Sequence, residues 1–224
     1  MRFGVVRFPG TCDDVDAQLA CAKVGDAEIL WHGERDLRGV DAVVVPGGFS
    51  YGDYLRVGAI ARFSPVMESV MAFARDGGPV LGICNGFQIL CEAGLLPGAL
   101  LPNVGLRFIC RQVGVVVERT DTAFTAACEP GQILSIPVKH TTGRYFAPDA
   151  AALEDAGQVV LRYATRGNPN GSTNDIAGVC NEGRNVVGLM PHPEHAVDAL
   201  TGGSADGLRI FASMAEAVDG RVAA

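Results

Sequence analysis

Residues 80–88 read Val-Leu-Gly-Ile-Cys-Asn-Gly-Phe-Gln, and they join the end of a strand, a sharp turn and the start of a helix. The apolar run is typical of a buried strand, and Gly-x-Cys-x-Gly follows it directly. This pattern matches a nucleophile elbow in which cysteine replaces serine. Its glycines are expected, because a strained strand-to-helix turn requires neighbours without side chains. Cys84 then lies at a helix N-terminus, where the dipole and free N–H groups favour a thiolate.

Strand and helix patterns alternate on both sides of this elbow. Short apolar strands are predicted at residues 3–8, 27–31, 41–45, 79–83 and 186–190, and helices at 13–24, 57–75, 86–93 and 205–218. Continuous Val, Ile and Leu runs separated by helices predict a parallel sheet covered on both faces. Residues 108–118, 132–138 and 159–163 look extended without long helices between them, which predicts an antiparallel addition in the second half. The expected fold is α/β, with a three-layer, mostly parallel twisted sheet in a single domain spanning residues 1–224.

The composition argues against several classes of function. Lys and Arg total 18 against 25 Asp and Glu, and a net charge of −7 argues against a surface for nucleic acid or an anionic membrane. No apolar run approaches the roughly 20 residues of a membrane span, and the N-terminus has no signal-peptide pattern. The seven cysteines include no CxxC pair, which argues against a structural zinc site. An odd number of cysteines without a signal peptide indicates reduced thiols, and we expect a cytoplasmic protein.

A second candidate element is Pro-His-Pro-Glu at residues 191–194, directly after the predicted strand 186–190. A cysteine nucleophile needs a base, and the imidazole needs an acceptor that holds its tautomer. His192 and Glu194 are two positions apart, so in an extended segment their side chains would face the same way. Glu194 would then contact one ring nitrogen while the other nitrogen faces Cys84.

The third candidate element is a glycine-rich loop at residues 46–53, Pro-Gly-Gly-Phe-Ser-Tyr-Gly-Asp. Glycines allow backbone N–H groups to approach a ligand closely, as an oxyanion hole requires. A phosphate-binding loop is the competing interpretation, but the GxxxxGKS/T and GxGxxG patterns are both absent. The other two motifs also have ordinary explanations, namely a buried core cysteine and an exposed polar turn. All three follow predicted strands and can therefore meet at one sheet edge, and this convergence favours a catalytic site.

The combination of GICNGFQ with a downstream PHPE resembles the class I, triad-type glutamine amidotransferases, whose sheet is flavodoxin-like. More narrowly, four segments are similar to the family of glutaminase subunits of phosphoribosylformylglycinamidine synthase, an enzyme of purine biosynthesis. These segments are PGGFSYGDYLRVGAIARF (46–63), NGFQIL (85–90), DIAGV (175–179) and MPHPE (190–194). The long glycine-rich block is the specific signal, and the similarity extends over nearly the whole chain.

The resemblance implies hydrolysis of glutamine to glutamate and ammonia. Cys84 would attack the side-chain amide and form a glutamyl thioester. His192, oriented by Glu194, would protonate the departing ammonia, and water would then release glutamate.

The resemblance also implies roles for the residues around this triad. The backbone N–H of Asn85 and one N–H from the turn at Gly47 and Gly48 would hold the oxyanion. Phe49 belongs to the same substrate-binding loop. Gln88, one turn into the helix, would contact the amino-acid end of glutamine.

The same resemblance implies that the steps of the reaction occur on different subunits. Ammonia would pass to a separate, larger synthetase subunit that uses ATP and Mg²⁺, and a small third subunit would complete the complex. This chain is expected to bind no cofactor and no metal of its own.

Two other classes of function remain open at this point. One is a stand-alone cysteine hydrolase, such as a peptidase with the same elbow, and the other is a thiol-based stress sensor. His195, where the family often has arginine, is expected to face the solvent, with modulation of the adjacent triad as the alternative. His140 is expected either to face the site or to lie in a surface loop. Asp53 and Arg56 are expected either to orient substrate or partner, or to form an exposed ion pair.

Overall fold

The computed structural model describes residues 1–164 and 167–222 of the chain. Eleven β-strands and six α-helices lie within these residues. The strands are β1 (Arg2–Arg7), β2 (Asp26–Trp31), β3 (Ala42–Val45), β4 (Val80–Ile83), β5 (Ala99–Leu101), β6 (Ile109–Val117), β7 (Ile133–His140), β8 (Arg144–Phe146), β9 (Val159–Tyr163), β10 (Ile176–Cys180) and β11 (Val186–Leu189). The helices are α1 (Asp14–Cys21), α2 (Pro65–Arg75), α3 (Asn85–Glu92), α4 (Ala150–Asp155), α5 (Ala199–Gly202) and α6 (Leu208–Val222).

Nine of the strands form one sheet in the order β2-β1-β3-β4-β11-β10-β9-β6-β7. The first five strands of this order are parallel to one another. From β11 onward, each neighbouring pair is antiparallel. The order 2-1-3-4 followed by a fifth parallel strand is that of flavodoxin-like sheets. The predicted α/β fold, with its parallel sheet and antiparallel addition in the second half, is confirmed.

The core lies on both faces of the parallel part of the sheet. Every residue of β3, β4 and β11 is buried, as expected for strands that are covered on both sides. Helix α1 packs against β1 and β2, and α3 packs against β4 and β11. Phe3, Phe87 and Phe211 are fully buried, and burial of each such ring stabilises the fold by roughly 1.5–3 kcal/mol.

The helix predicted over residues 57–75 is wrong in its first part, which forms a loop and a short 3-10 turn before α2. Gly58 has a φ of +78°, and a Cβ there would lie 2.9 Å from the backbone nitrogen of Ile89. The loop therefore crosses α3 in close contact instead of winding into a helix. Helix α2 starts only at Pro65, because proline keeps the preceding Ser64 extended and suits the first helical position.

Other elements also differ from the sequence prediction. Strand β10 was not predicted, although it is completely buried between β9 and β11. Strands β5 and β8 pair in a separate two-stranded sheet, which was also not predicted. The last helix begins three residues later than expected, at Leu208, and Gly207 before it packs so closely that a Cβ there would overlap the carbonyl oxygen of Pro193. Among the described residues, no helix combines the length and the apolar character needed to cross a bilayer.

Candidate active site

Cys84 occupies a strained turn between β4 and α3, with a φ of 49° and a ψ of −101°. This backbone conformation costs on the order of 1–3 kcal/mol for a non-glycine residue and is typical of a nucleophile elbow. A Cβ at Gly86 would overlap the carbonyl oxygen of Val45, and a Cβ at Gly82 would lie 2.9 Å from the carbonyl carbon of Gly86. The two glycines therefore allow β3, β4 and α3 to approach closely enough to hold the cysteine in this turn.

The elbow opens into a cleft of ≈ 130 Å³ at the carboxyl ends of the parallel strands. Residues from all three predicted motifs line it, namely Gly48, Phe49, Cys84, Gln88 and His192. This is where ligands bind in parallel α/β sheets. The structure thus brings the three segments together at one edge, as their positions after strands predict.

His192 and Glu194 form a buried pair behind this cleft. Nδ1 of His192 lies 2.6 Å from Oε1 of Glu194, and both side chains are almost completely buried. The Nε2 atom of His192 has no hydrogen-bond partner among the described residues. The expectation of an extended segment is wrong, because Pro193 begins a 3-10 turn. That turn, rather than the alternation of an extended chain, places the carboxylate beside the ring.

Burial and neighbouring charges have opposite effects on the pKa of His192. Burial alone would lower the pKa of His192, because it disfavours the charged ring. The negative charges of Glu194 and of a Cys84 thiolate outweigh this cost and raise the pKa of His192 to about 10. The site therefore favours the imidazolium form of His192, which can donate a proton within the cleft that Cys84 lines.

In the glycine-rich loop, Gly48 borders the cleft, while backbone groups of its neighbours form hydrogen bonds within the protein. The N–H of Phe49 donates to the carbonyl of Gly10 at 2.9 Å, and the carbonyl of Gly47 accepts from the N–H of Cys12 at 3.3 Å. Gly48 has a φ of +144°, and a Cβ there would lie 2.5 Å from the nitrogen of Cys12. Only glycine fits at this position, where its backbone borders the cleft. Phe49 contributes its half-exposed ring to the cleft, while its N–H group is already bonded.

The side chains of Asn85 and Gln88 connect the loops around the cleft. The Oδ1 atom of Asn85 accepts from the N–H of Ser50 at 3.1 Å, and its Nδ2 group donates to Oε1 of Gln88 at 3.0 Å. Gln88 in turn donates to the carbonyl of Thr142 at 2.5 Å. The backbone N–H of Asn85 is the first of α3, and such groups have no acceptor within the helix. Asn85 therefore fixes the glycine-rich loop with its side chain, and the oxyanion role of its N–H group stays a prediction.

A second buried carboxylate, which the sequence analysis missed, contacts the same histidine. Oδ1 of Asp13 accepts from Nζ of Lys139 at 2.5 Å and lies 3.3 Å from Nε2 of His195. Its Oδ2 atom lies 3.6 Å from Nδ1 of His192. The expectation that His195 faces the solvent is wrong, since its ring contacts both Asp13 and Glu194. Asp13 follows β1 at the same edge of the sheet, and that position was the available signal.

Comparison with known proteins places the chain in a family. It matches the CobB/CobQ-like glutamine amidotransferase domain over residues 1–213. Phosphoribosylformylglycinamidine synthase subunit PurQ from Rubrobacter xylanophilus is 64% identical over 217 residues, which cover 96% of this chain and 97% of the relative. The PurQ subunit from Frankia casuarinae is 62% identical over 216 residues, which cover 95% and 92%. A chain in the structure of PurLQS from Thermotoga maritima has a TM-score of 0.90 and 43% identity, with coverage of 97% and 98%.

The chain belongs to the PurQ family of glutamine amidotransferases. The resemblance predicted from its motifs is confirmed.

Four donor groups in this amidotransferase lie close enough together to surround a metal ion. Asp13, His192, Glu194 and His195 each offer one ligand atom, all within 4.8 Å of one another. The two carboxylates already have ionic partners. Lys139 contacts Asp13, and the ring of His192 contacts Glu194. The ammonium and the imidazolium compete with a cation for the carboxylates. The absence of a metal cofactor on this chain stays a prediction.

The structure narrows the alternatives that the sequence left open for His140 and Arg56. His140 is buried on β7, where its Nδ1 atom lies 3.0 Å from Oδ1 of Asn103, so the surface-loop alternative is wrong. Burial lowers the pKa of His140 to about 4, and this ring is therefore neutral in the cleft. Arg56 forms a bidentate ion pair with Glu92, at 2.6 Å for both contacts, and the ion pair with Asp53 is not formed.

Proposed function

We propose that this chain is the glutaminase subunit of phosphoribosylformylglycinamidine synthase, and that Cys84, His192 and Glu194 are its catalytic triad. The observation that carries the assignment is the orientation of His192. Its Nδ1 atom is engaged by Glu194 at 2.6 Å, its Nε2 atom is unpaired among the described residues, and the residue lines the same cleft as Cys84. This is the arrangement in which an oriented imidazole serves a nucleophile.

The first half of the reaction forms a thioester. The Sγ thiolate of Cys84 attacks the amide carbon of glutamine, and the electron pair of the carbonyl moves onto oxygen. The N–H groups of Gly48 and Asn85 bind this oxyanion, and one such donor contributes on the order of 10²–10³ in rate. Nε2 of the His192 imidazolium then donates its proton to the amide nitrogen, the C–N bond breaks, and ammonia leaves.

The second half releases glutamate. His192, now neutral, takes a proton from a water molecule, whose oxygen attacks the thioester carbon. The C–S bond breaks, glutamate leaves, and the thiolate of Cys84 is restored beside the imidazolium. Glu194 holds the ring in one tautomer and stabilises its positive charge throughout the cycle.

Ammonia passes in this proposal to a separate synthetase subunit. The relatives are subunits of phosphoribosylformylglycinamidine synthase, and the similar solved structure is the PurLQS assembly. We therefore assign the synthetase subunit PurL and the small subunit PurS as partners in purine biosynthesis. ATP and Mg²⁺ act on the synthetase, and this chain, a single domain over residues 1–224, works in the cytoplasm without a cofactor of its own.

Glutamate release from glutamine tests the proposal directly. We expect low release by the purified chain alone and a sharp rise in complex with PurL and PurS loaded with nucleotide. A glutamine-like electrophile should modify Cys84 and spare the exposed Cys110, and glutamine should protect Cys84. Cys110→Ala is the matched control and should retain full activity.

Two results would favour the other classes of function. Hydrolysis of peptides by the isolated chain would indicate a stand-alone cysteine hydrolase. Broad modification of several cysteines, without glutamine hydrolysis in either state, would indicate a thiol sensor.

A further inference from the structure

One carboxylate at the cleft has no counter-ion, and the mechanism above does not use it. Besides the nucleophile, the charged residues of the cleft include Asp13, Lys139, His192 and Asp53. Asp13 and Lys139 form an ion pair, in which Oδ1 accepts from Nζ at 2.5 Å. His192 has Glu194 as its partner. Asp53 remains, and it forms no ion pair with any described residue, while its Oδ1 atom is buried without a hydrogen-bond donor.

The nearest candidates for a counter-ion in the sequence are already occupied. Arg56 contacts both carboxylate oxygens of Glu92 at 2.6 Å. Arg62 donates to the backbone carbonyl of Glu92 at 2.7 Å. Burial of Asp53 is thus uncompensated, and it raises the pKa of this carboxyl to about 6. A half-buried carboxylate without a partner gains most from a cationic ligand with several N–H donors.

Asp53 lines the same cleft as the nucleophile, at the point where this cleft meets an adjoining groove. With its amide carbon at Cys84, glutamine extends its α-ammonium and α-carboxylate groups away from the elbow. Asp53, Gln88 and Thr142 all line both the catalytic cleft and the adjoining groove, so they mark the passage between the two. The amino-acid end of the substrate therefore lies near the unpaired carboxylate.

The backbone holds Asp53 in this position at an energetic cost. Tyr51, Gly52, Asp53 and Leu55 all have φ values between 53° and 69°, in the left-handed region that non-glycine residues rarely adopt. Such residues cost on the order of 1–3 kcal/mol each and are concentrated in ligand clamps. The hydroxyl of Tyr51 anchors the turn, with contacts of 2.9 Å to both His32 and Ser64.

We propose that Asp53 binds the α-ammonium group of glutamine and so determines the specificity of the site for an α-amino acid amide. This inference rests on the proposed glutaminase function. The α-ammonium supplies the positive charge and the N–H donors that Asp53 lacks in the free protein. An amide without that amine cannot use the contact.

The test compares glutamine with 4-carbamoylbutanoate, which is glutamine without its α-amine, on the complete complex with PurL and PurS. For Asp53→Asn, we expect the KM for glutamine to rise on the order of 10- to 100-fold, since a hydrogen bond to a charged group contributes about 1.5–3 kcal/mol. The kcat should change by less than a few-fold. The inhibition constant of 4-carbamoylbutanoate should stay within about twofold of wild type, because this competitor never contacted Asp53.

Control variants separate recognition from folding and docking. Asp155→Asn removes an exposed carboxylate at the end of α4 and should leave both constants unchanged. Asp53→Glu keeps the charge and should recover part of the affinity for glutamine. Ammonia-driven synthesis and the thermal unfolding of each complex report whether the subunits still fold and assemble.

Different results would overturn the role of Asp53 and the glutaminase assignment. An unchanged KM for glutamine in Asp53→Asn, or an equal loss of affinity for glutamine and 4-carbamoylbutanoate, would overturn the role of Asp53 and leave the glutaminase assignment intact. Loss of ammonia-driven synthesis or assembly in Asp53→Asn, with unaltered constants in Asp53→Glu, would assign the residue to docking. A wild-type complex that releases no glutamate would overturn the proposed function and this inference with it.

Discussion

Oδ2 of Asp13 lies 3.6 Å from Nδ1 of His192, on the side of the ring that Glu194 contacts. The histidine therefore has two carboxylates next to one nitrogen, where a triad requires one. Burial opposes ionisation of Asp13, but its three basic neighbours outweigh that effect and hold the pKa of its carboxyl well below the usual range. Asp13 is thus charged throughout the neutral range and stabilises the imidazolium through space.

Removal of this second charge should slow the enzyme without removing the triad. In Asp13→Asn, we expect glutaminase kcat in the complex to fall on the order of 10- to 100-fold, since 1.36 kcal/mol of lost stabilisation is tenfold in rate. We also expect a shift in the pH dependence of the rate at which Cys84 is alkylated. The change in rate that follows deprotonation of His192 should occur at a lower pH than in wild type, because the imidazolium loses its proton more readily. Asp16→Asn, in the first turn of α1, is the matched control. An unchanged midpoint in Asp13→Asn would make the residue purely structural.

Replacement of the direct partner should be more severe. In Glu194→Gln, the neutral amide keeps the shape of the side chain but no longer selects the productive tautomer of His192. We expect kcat to fall on the order of 10³-fold or more while KM for glutamine changes little. Steady-state glutamate release by the complex measures both constants. Wild-type turnover in this variant would remove Glu194 from the triad.

A substitution of the nucleophile should separate glutamine hydrolysis from the synthetase reaction. Cys84→Ala should abolish glutamine-dependent synthesis and leave synthesis from added ammonia unchanged, because the partner subunit performs that step. Both activities are measured on the same purified complex, with Cys110→Ala as a control on an exposed cysteine. If ammonia-driven synthesis also fails while the subunits remain assembled, the role given to Cys84 is wrong.

The sequence predicted those parts of the molecule that depend on local pattern. The strand, turn and helix around Cys84 follow from the apolar run and the two glycines, and the antiparallel addition follows from the change in strand spacing. Strand β10 was missed because Ala177 and Gly178 give it little β-propensity, and its burial between two strands is a tertiary effect.

The missed parts of the candidate site depend on contacts between distant segments. Asp13 and Lys139 are 126 positions apart, and no local pattern pairs them. The contact between His192 and Glu194 was expected for a wrong reason, since it depends on the 3-10 turn that Pro193 begins. Asp53 had an obvious partner in Arg56 along the chain, but Glu92 on α3 takes that arginine.

The glycines of the elbow offer a test of its close packing. In Gly86→Ala, the added methyl group would overlap the carbonyl of Val45, so β3 and α3 must separate. We expect a loss of about 1–3 kcal/mol in the free energy of unfolding, together with loss of glutamine hydrolysis. Gly105→Ala is the matched control, because a Cβ at Gly105 meets no atom within 4 Å. Urea titrations of both variants measure the difference, and equal stabilities would contradict the proposed packing.

The charge state of His192 makes stability depend on pH in a defined direction. Its pKa rises from an ordinary value near 6.5 to about 10 in the folded protein, so the folded chain keeps a proton that the unfolded chain releases between these values. The stabilisation is complete below about pH 6.5 and is lost as pH rises to about 10, with a slope on the order of 1 kcal/mol per pH unit.

The contribution of His192 to this pH dependence can be isolated by comparing wild type with His192→Asn. Burial raises the pKa of the Cys21 and Cys91 thiols, so these groups also favour the folded state less as pH rises, and both are present in wild type and in His192→Asn. Urea unfolding at pH 7, 8 and 9 should therefore give a steeper decline for wild type than for His192→Asn. Parallel declines would mean that the ring of His192 is neutral in the folded protein, and that Cys84 must transfer its proton to His192 during the attack instead of beforehand.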